Sequence, residues 1–184
     1  GILAQRGSAI DKSVGAASSA VEICQNVIDN NQTSICLFYT ADSCIYRNLI
    51  RNGFGTGIGN WLESHNTRIY YNIIYNLGLS LNRILWNGID VNLHCRNGVV
   101  YNNMIKDVYA SCFTMEAQVA PSDGWSVKNN IFDASGNKPS LAGMCGTIWI
   151  EKGVSGYTLS NNLHVASSIS LAQIQAVPYA HLSA

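Results

Sequence analysis

Short apolar segments recur along the chain, and each carries an asparagine at the same place. The order is apolar, two variable residues, asparagine, one variable residue, apolar, except that the last repeat ends on histidine. The repeats are Ile23–Ile28, Ile45–Ile50, Ile69–Ile74, Val100–Ile105, Val127–Phe132 and Leu159–His164. Their asparagines are 22, 24, 31, 27 and 32 residues apart. Repeats of this length predict a solenoid, in which each repeat forms one coil.

The residues of the repeats indicate which kind of solenoid this is. No segment sustains the i, i+3, i+4, i+7 apolar spacing of an amphipathic helix. The apolar segments are short and rich in β-branched residues, and asparagine and glycine interrupt them. These are the signals of strands and turns, so the sequence predicts an all-β solenoid.

The repeated asparagine has two physical uses in such a coil. Asparagine tolerates the left-handed backbone conformation that a corner of one or two residues requires. Its side-chain amide can also bond the same amide in the coils above and below. We therefore expect the six asparagines to be corner and ladder residues and not ligands.

With this repeat, the chain resembles the right-handed parallel β-helix (pectate-lyase-like) superfamily, whose members consist of short coils of three strands. The resemblance covers roughly residues 20–165, which we expect to form the regular coils, and extends to residues 1–8. It implies a single all-β domain of about six coils over residues 1–184. It does not imply one reaction, because lyases, hydrolases, epimerases, tailspikes and adhesins share this architecture.

A second strand precedes each asparagine motif, and two of these strands align without gaps. Residues 57–69 match residues 88–100 with an offset of 31. Side chains alternate between the two faces of a strand, so the alignment predicts an inward and an outward set. The inward set is Ile58, Asn60, Leu62, Ile89, Val91 and Leu93, followed by Phe113, Met115, Ile148 and Ile150. The outward set, predicted to face solvent, is Gly59, Trp61, Glu63, Asp90, Asn92 and His94, followed by Thr114, Glu116, Thr147, Trp149 and Glu151.

The start of the chain resembles the same strand, because Gly1 and Ile2 match Gly57 and Ile58. The chain thus begins within a coil, and residues 1–19 are interpreted as an incomplete first coil and a loop. A solenoid needs a cap over its first coil. We therefore expect a fragment of a longer protein, or a first coil covered by additional coils or by a second copy in a homo-oligomer. Residues 166–184 lack the asparagine motif and are predicted to form a tail or cap.

One outward column is predicted to contain three carboxylates and a histidine. It consists of Glu63, His94, Glu116 and Glu151, one from each successive coil. Coils are about 4.8 Å apart, so Glu63 and Glu116 are expected roughly 9 to 10 Å apart, and Glu116 and Glu151 about 5 Å apart. The wider separation is near the upper limit for inverting glycosidases, and the shorter one is closer to that of retaining enzymes.

These side chains give a candidate catalytic group. Stacked carboxylates repel each other, so one of them is expected to have a raised pKa and to act as an acid near neutral pH. We assign Glu116 as the general acid and Glu63 or Glu151 as the second carboxylate. His94 and Asp90 are expected to orient the substrate or to tune the pKa values of the carboxylates.

Four further residues are candidates for substrate binding. An exposed indole suits the apolar face of a sugar ring, so Trp61 and Trp149 are predicted to stack on sugars. Asn92 precedes His94 on the same face, and Arg96 follows it. The predicted partner is therefore a polysaccharide or an oligosaccharide.

Composition and charge exclude several other functions. Charged residues make up 12% of the chain, about half of the usual share, and 11 basic residues balance 11 acidic ones. Nucleic acids and anionic membranes need a basic face, so we expect neither partner. No apolar stretch has the roughly 18 residues of a membrane helix. No signal peptide is visible, so the expected extracellular or cell-surface location assumes that one was removed or lies outside this sequence.

The six cysteines do not form a recognisable metal motif. No C-x-x-C pair and no Cys/His cluster with zinc spacing occurs. We expect most of them to be small buried residues, with one or two disulfides as the alternative. No metal and no cofactor is predicted for a hydrolase.

Three functions are compatible with these features. A glycoside hydrolase acting on a neutral or weakly charged glycan explains the carboxylate column best. A non-catalytic glycan-binding or structural segment of a surface protein or tailspike is the second possibility. A polysaccharide lyase is the third. Lyases of the superfamily that the chain resembles typically use a Lys or Arg base, often with calcium, and the candidates for the base are Arg68, Arg83, Arg96 and Lys152.

Overall fold

The computed structural model describes residues 2–5, 18–78, 87–117, 120–136, 146–165 and 173–174. Within these ranges the chain forms 21 strands, numbered β1 to β21 in chain order, and no helix. No helix long and apolar enough to cross a membrane is therefore found in the described part of the chain. The strands form three large sheets and one sheet of two strands.

Each large sheet collects one strand from every coil. Sheet I consists of β1 (Ile2–Gln5), β5 (Ile35–Phe38), β9 (Ile58–Trp61), β12 (Ile89–Val91), β15 (Ser111–Met115), β18 (Gly146–Ile150) and β21 (Gln173–Ile174). Sheet II consists of β3 (Glu22–Cys24), β7 (Cys44–Tyr46), β10 (Arg68–Tyr70), β13 (Val99–Tyr101), β16 (Ser126–Lys128) and β19 (Thr158–Ser160). Sheet III consists of β4 (Val27–Asp29), β8 (Leu49–Gly53), β11 (Ile73–Leu77), β14 (Met104–Lys106), β17 (Ile131–Asp133) and β20 (Leu163–Val165). The small sheet pairs β2 (Ser18–Ser19) with β6 (Thr40–Ala41).

The chain visits the three sheets in turn, so that one coil runs through β9, β10 and β11 and the next begins at β12. Neighbouring strands within each sheet are parallel, as in the pairs β9 with β12, β10 with β13 and β11 with β14. The predicted all-β parallel β-helix is therefore confirmed. The matched start of the chain is confirmed as well, because Ile2 pairs with Ile35 and Ile35 pairs with Ile58.

Stacked apolar side chains fill the interior of the coils. Parallel pairing in register places the same position of each coil in one column, and each sheet supplies a column of buried residues. In sheet I this column is Ile35, Ile58, Ile89, Phe113 and Ile148. In sheet III it is Ile28, Ile50, Ile74, Ile105 and Phe132.

The repeated asparagines form a hydrogen-bonded ladder at the corner between sheets II and III. Each side-chain Nδ2 donates to the Oδ1 of the next asparagine, over 2.9–3.0 Å, from Asn26 to Asn162. The same Oδ1 accepts a bond from the backbone N–H of the asparagine one coil earlier. The predicted ladder is therefore confirmed.

The prediction that these asparagines also take the left-handed conformation is wrong. The residue immediately before each of them takes it, with φ between 53° and 57°. That residue turns the chain, and the asparagine after it is left with its amide directed into the corner, where it meets carbonyls of its own and the preceding coil. The left-handed residues are Gln25, Arg47, Tyr71, Asn102, Asn129 and Asn161.

Replacing an interior ladder residue should strongly destabilise the protein. The Asn72 amide makes five hydrogen bonds, including two accepted from Asn48. Asn72→Ala leaves buried polar groups of Asn48 and Asn103 without this partner, so we expect the free energy of unfolding to fall by about 3 kcal/mol. Urea denaturation measures this. Asn26→Ala, which loses two bonds at the end of the ladder, should cost about 1 kcal/mol. Equal losses in both variants would contradict the ladder's role.

Candidate functional site

Two rows of side chains run across the outer face of sheet I. The first row contains Asp90 and the residues aligned with it across β9, β12, β15 and β18. The second row contains the residues two places further along the chain. The aspartate row is Gly59, Asp90, Thr114 and Trp149. The glutamate row, which continues the pairing of Asn60, Val91, Met115 and Ile150, is Trp61, Asn92, Glu116 and Glu151.

The outer face of sheet I is buried, contrary to the prediction that it faces solvent. Asp90, Glu116 and Glu151 are 4%, 1% and 4% exposed. Every residue of β15 and β18 is buried, on both faces of the sheet. The two rows thus form a polar layer that lies outside the core and is removed from water.

Trp61 orients the Asp90 carboxyl through a neighbouring glycine. The indole Nε1 of Trp61 donates to Asp90 Oδ2 over 2.9 Å. To reach it, the indole lies across Gly59, where an added Cβ would be only 2.6 Å from the ring. Trp61 is therefore a positioning residue for Asp90, and its ring contacts Phe38 at 5.8 Å between centroids.

Burial changes the acidity of Asp90. Desolvation raises its pKa from 3.8 to about 7, although the Trp61 hydrogen bond acts in the opposite direction. The predicted carboxyl with a raised pKa therefore exists on this face, but it is Asp90 and its cause is burial. At neutral pH a large fraction of Asp90 carries a proton.

The two glutamates of the glutamate row are each held by a donor. Asn92 Nδ2 donates to Glu116 Oε2 over 2.9 Å, and the backbone N–H of Ala117 donates to Glu151 Oε2 over 2.6 Å. Glu116 and Glu151 directly follow β15 and β18, whose last residues pair in register, so their backbones lie about 4.8 Å apart. The predicted neighbourhood of these two carboxylates is thus reproduced by the strand register.

Glu63 and His94 do not belong to this row, and their predicted place in its column is wrong. β9 ends at Trp61 and β12 at Val91, and the next residues turn left-handed, with φ of 58° at Glu63 and 66° at His94. The alternation of a strand no longer applies there. For the same reason Leu62 and Leu93, predicted to point inward, are only half-buried.

His94 instead lies at the corner that leads from sheet I to sheet II. Its ring meets that of His65 edge to face, at 6.1 Å between centroids. The backbone N–H of Arg96 donates to His65 Nδ1, and the exposed guanidinium of Arg96 lies 3.6 Å from Asp123. Burial, followed by the nearby His94 and Arg96 charges, lowers the pKa of His65. The predicted site is therefore divided between the sheet I rows and this corner.

Three buried polar atoms of the aspartate row lack a hydrogen-bond partner within the described residues. They are Asp90 Oδ1, Thr114 Oγ1 and Trp149 Nε1, on three successive strands of sheet I. Trp149 is 5% exposed, so its ring does not offer the open stacking surface that we predicted. An unpaired buried polar atom costs free energy, and the aspartate row brings three of them together on the outer face of sheet I.

Sequence reasoning overlooked two side chains near these groups. Cys36 precedes Gly59 in the aspartate row, and burial raises the pKa of its thiol to about 12. An alignment of Ile35 with Ile58 in the sequence would have placed Cys36 next to Gly59. His65 could be found only after the corner had been recognised.

The remaining candidates lie elsewhere. Arg68 is exposed on sheet II, Lys152 is exposed after β18, and Arg83 lies outside the described residues. In the ranges described, no three His, Cys, Asp or Glu side chains are grouped to hold a metal ion. None of the five described cysteines forms a disulfide.

The raised pKa of Asp90 predicts how stability changes with pH. The folded protein keeps this proton up to about pH 7, whereas the unfolded chain loses it near 3.8. The free energy of unfolding should therefore fall, by about 4 kcal/mol, as the pH rises through this window. Asp90→Asn should remove this slope, and the matched exposed variant Glu63→Gln should keep it. Urea denaturation between these pH values tests the prediction, and an unchanged slope in Asp90→Asn would contradict it.

Comparisons with known proteins agree with this architecture. The family model of the right-handed β-helix region matches residues 6–163. A search of curated proteins and a search of solved structures gave no match. The matched range contains all six ladder asparagines and both rows of sheet I. The chain therefore belongs to the right-handed β-helix family.

Proposed function

We propose that the protein is a glycoside hydrolase whose reaction takes place at the aspartate and glutamate rows of sheet I. Asp90 is the general acid and Glu116 is the second carboxylate. The surroundings of the Asp90 carboxyl group carry this assignment. Asp90 has a pKa raised to about 7, its Oδ2 is held by Trp61, and its Oδ1 has no partner among the described residues.

Each carboxyl has one defined role in the reaction. Asp90 transfers its proton to the glycosidic oxygen as the bond between that oxygen and the anomeric carbon breaks. Glu116 takes a proton from a water molecule, whose oxygen bonds to the same carbon. The products are two shorter saccharides. Glu116 then releases its new proton to solvent, and Asp90 takes up a proton from solvent.

The strand register supports an inverting reaction. Asp90 pairs with Thr114 of the adjacent strand β15, and Glu116 directly follows that strand, two residues beyond Thr114. With strands about 4.8 Å apart and a rise of about 3.3 Å per residue, their backbones are about 8 Å apart. Inverting enzymes hold their two carboxyl groups about 6.5–9.5 Å apart, which leaves room for the attacking water. Backbones about 8 Å apart allow the two side chains to meet that spacing.

The neighbouring side chains have supporting roles. Asn92 fixes Glu116 by its 2.9 Å hydrogen bond, and Trp61 fixes Asp90. Thr114 Oγ1 and Trp149 Nε1, which are buried and unpaired within the described ranges, would bond sugar hydroxyls once the face has opened. Because the face is buried, the reaction requires that it open to the substrate. Because the proposed substrate is a polysaccharide, we propose a location outside the cell or at its surface.

Substitution of the two carboxyl groups tests this proposal. We expect Asp90→Asn and Glu116→Gln each to lower hydrolysis by about 100-fold or more, because each removes a proton-transfer group. The assay incubates the purified protein with a panel of polysaccharides. It records released reducing ends together with the ultraviolet absorbance of unsaturated products.

Glu63→Gln is the matched control, because Glu63 is an exposed acid at the corner after β9. It should keep full activity, and near-ultraviolet circular dichroism should confirm that all three variants are folded. Full activity in Asp90→Asn would reject Asp90 as the acid. Absorbing products would indicate a lyase, and a folded wild-type protein that cleaves nothing would leave a binding or structural role in place of hydrolysis.

A further inference from the structure

A second, uncharged groove follows the outside of the asparagine ladder, at the corner between sheets II and III. It lies away from the rows of sheet I. Its rim and floor come from three successive coils, and none of its side chains carries a charge. The side chains that face the groove are Tyr71, Ile73, Asn102, Met104, Asn129 and Ile131.

The sharp corner produces this groove. The left-handed residues before the ladder asparagines turn the chain, so Tyr71, Asn102 and Asn129 form an outer row. The residues just after the ladder begin the strands of sheet III and form a second, apolar row. Its members remain exposed, with Ile73 at 46%, Met104 at 39% and Ile131 at 39%. A row of amides and one aromatic ring therefore runs beside a row of apolar side chains.

Tyr71 is held in position by its neighbours. Its ring meets those of Tyr70 and Tyr101 edge to face, at centroid distances of 5.6 Å and 6.2 Å. Tyr70 and Tyr101 themselves stack in parallel, 4.9 Å apart. Tyr71 nevertheless stays 51% exposed, so one side of a supported aromatic ring is open beside the groove. A ring that is already ordered loses little conformational entropy when it binds a ligand.

We propose that this groove binds a neutral saccharide chain along the solenoid axis. A sugar ring has an apolar face and an edge of hydroxyl groups, and the groove offers both complements side by side. The apolar row and Tyr71 would contact ring faces, and the amides of Asn102 and Asn129 would donate to and accept from hydroxyl groups.

The repeat of the coils favours a polymer as the occupant. Equivalent positions recur about every 4.8 Å, close to the length of one sugar unit, so successive units would meet successive coils. The uncharged lining gives no attraction to nucleic acid or to an anionic glycan. The amide row distinguishes the groove from a purely apolar contact between two proteins.

This site does not depend on the hydrolase proposal, because it lies on other sheets. The test therefore uses Asp90→Asn as the starting protein, so that the ligand is not consumed. Hexasaccharides of β-linked glucose, xylose and mannose are titrated into the isotope-labelled protein and followed by NMR. At least one of them should shift the side-chain amides of Asn102 and Asn129.

Substitutions of Tyr71 then show whether the groove itself binds the ligand. Tyr71→Ala should weaken binding about tenfold, because it removes the stacking ring. Tyr71→Phe keeps the ring and should bind as tightly as the starting protein, which controls for effects on the fold. Both substitutions keep a non-glycine residue at the same left-handed position.

Several results would overturn the proposal. It fails if none of the hexasaccharides binds, if the shifts fall only on the sheet I rows, or if Tyr71→Ala binds as tightly as Tyr71→Phe. It also fails if sedimentation shows a dimer that Tyr71→Ala dissociates, since the groove would then be a contact between two copies. If a saccharide binds in the groove but the wild-type protein hydrolyses no glycan, the hydrolase proposal is rejected and the groove proposal stands.

Discussion

The asparagine ladder makes the tight corner between sheets II and III possible. A corner of one residue leaves backbone carbonyls and N–H groups unpaired inside the coil, and such groups are costly when buried. In the middle of the ladder, Asn72 bonds to Ile45 O, Tyr70 O and the next amide, and it accepts the N–H of Asn48. One side chain per coil thus satisfies the corner and ties the coil to both of its neighbours.

Because the ladder fixes the register of successive coils, side chains far apart in sequence become neighbours. Asp90, Glu116 and Glu151 are each separated by more than 20 residues, yet they lie in or directly after three consecutive strands of sheet I. The spacing that suits stacked isoleucines inside the coil also brings carboxyl groups together outside it. Burial raises the pKa of Asp90 to about 7, so near neutral pH this side chain retains a proton that an exposed aspartate would lose.

The repeat could be predicted from the sequence because it is periodic, and each of its positions has one physical use. Ile58 and Ile89 were placed correctly inside, and Asp90 and Glu116 correctly outside, because strand alternation holds between the ends of a strand. It failed at Glu63, because the chain turns left-handed at Leu62 and Glu63, directly after Trp61. Such corners depend on contacts with the adjacent coil, and a gap-free alignment of two coils cannot locate them.

Burial on the outer face was also beyond the reach of the pattern. The sequence shows that a side chain points outward, but it does not show whether other residues cover that side chain. Trp149 therefore could not be recognised as buried. The contact between Trp61 and Asp90 could have been predicted, because the alignment pairs Gly59 with Asp90 of the next coil. A missing Cβ directly beside a carboxyl allows the Trp61 indole to lie flat across the strand and reach the acid.

The two outer surfaces of the coil differ in their exposure to water, and this difference suits the two proposed functions. Proton transfer is favoured by groups removed from water, and the aspartate row keeps Asp90 at 4% exposure. Binding a long neutral chain instead requires an open surface, and the corner at Tyr71 stays 51% exposed. In sheet I, strand alternation directs every second side chain to the outer face, where these side chains form closely packed rows. At the corner, left-handed residues spread their side chains outward, which leaves room between them.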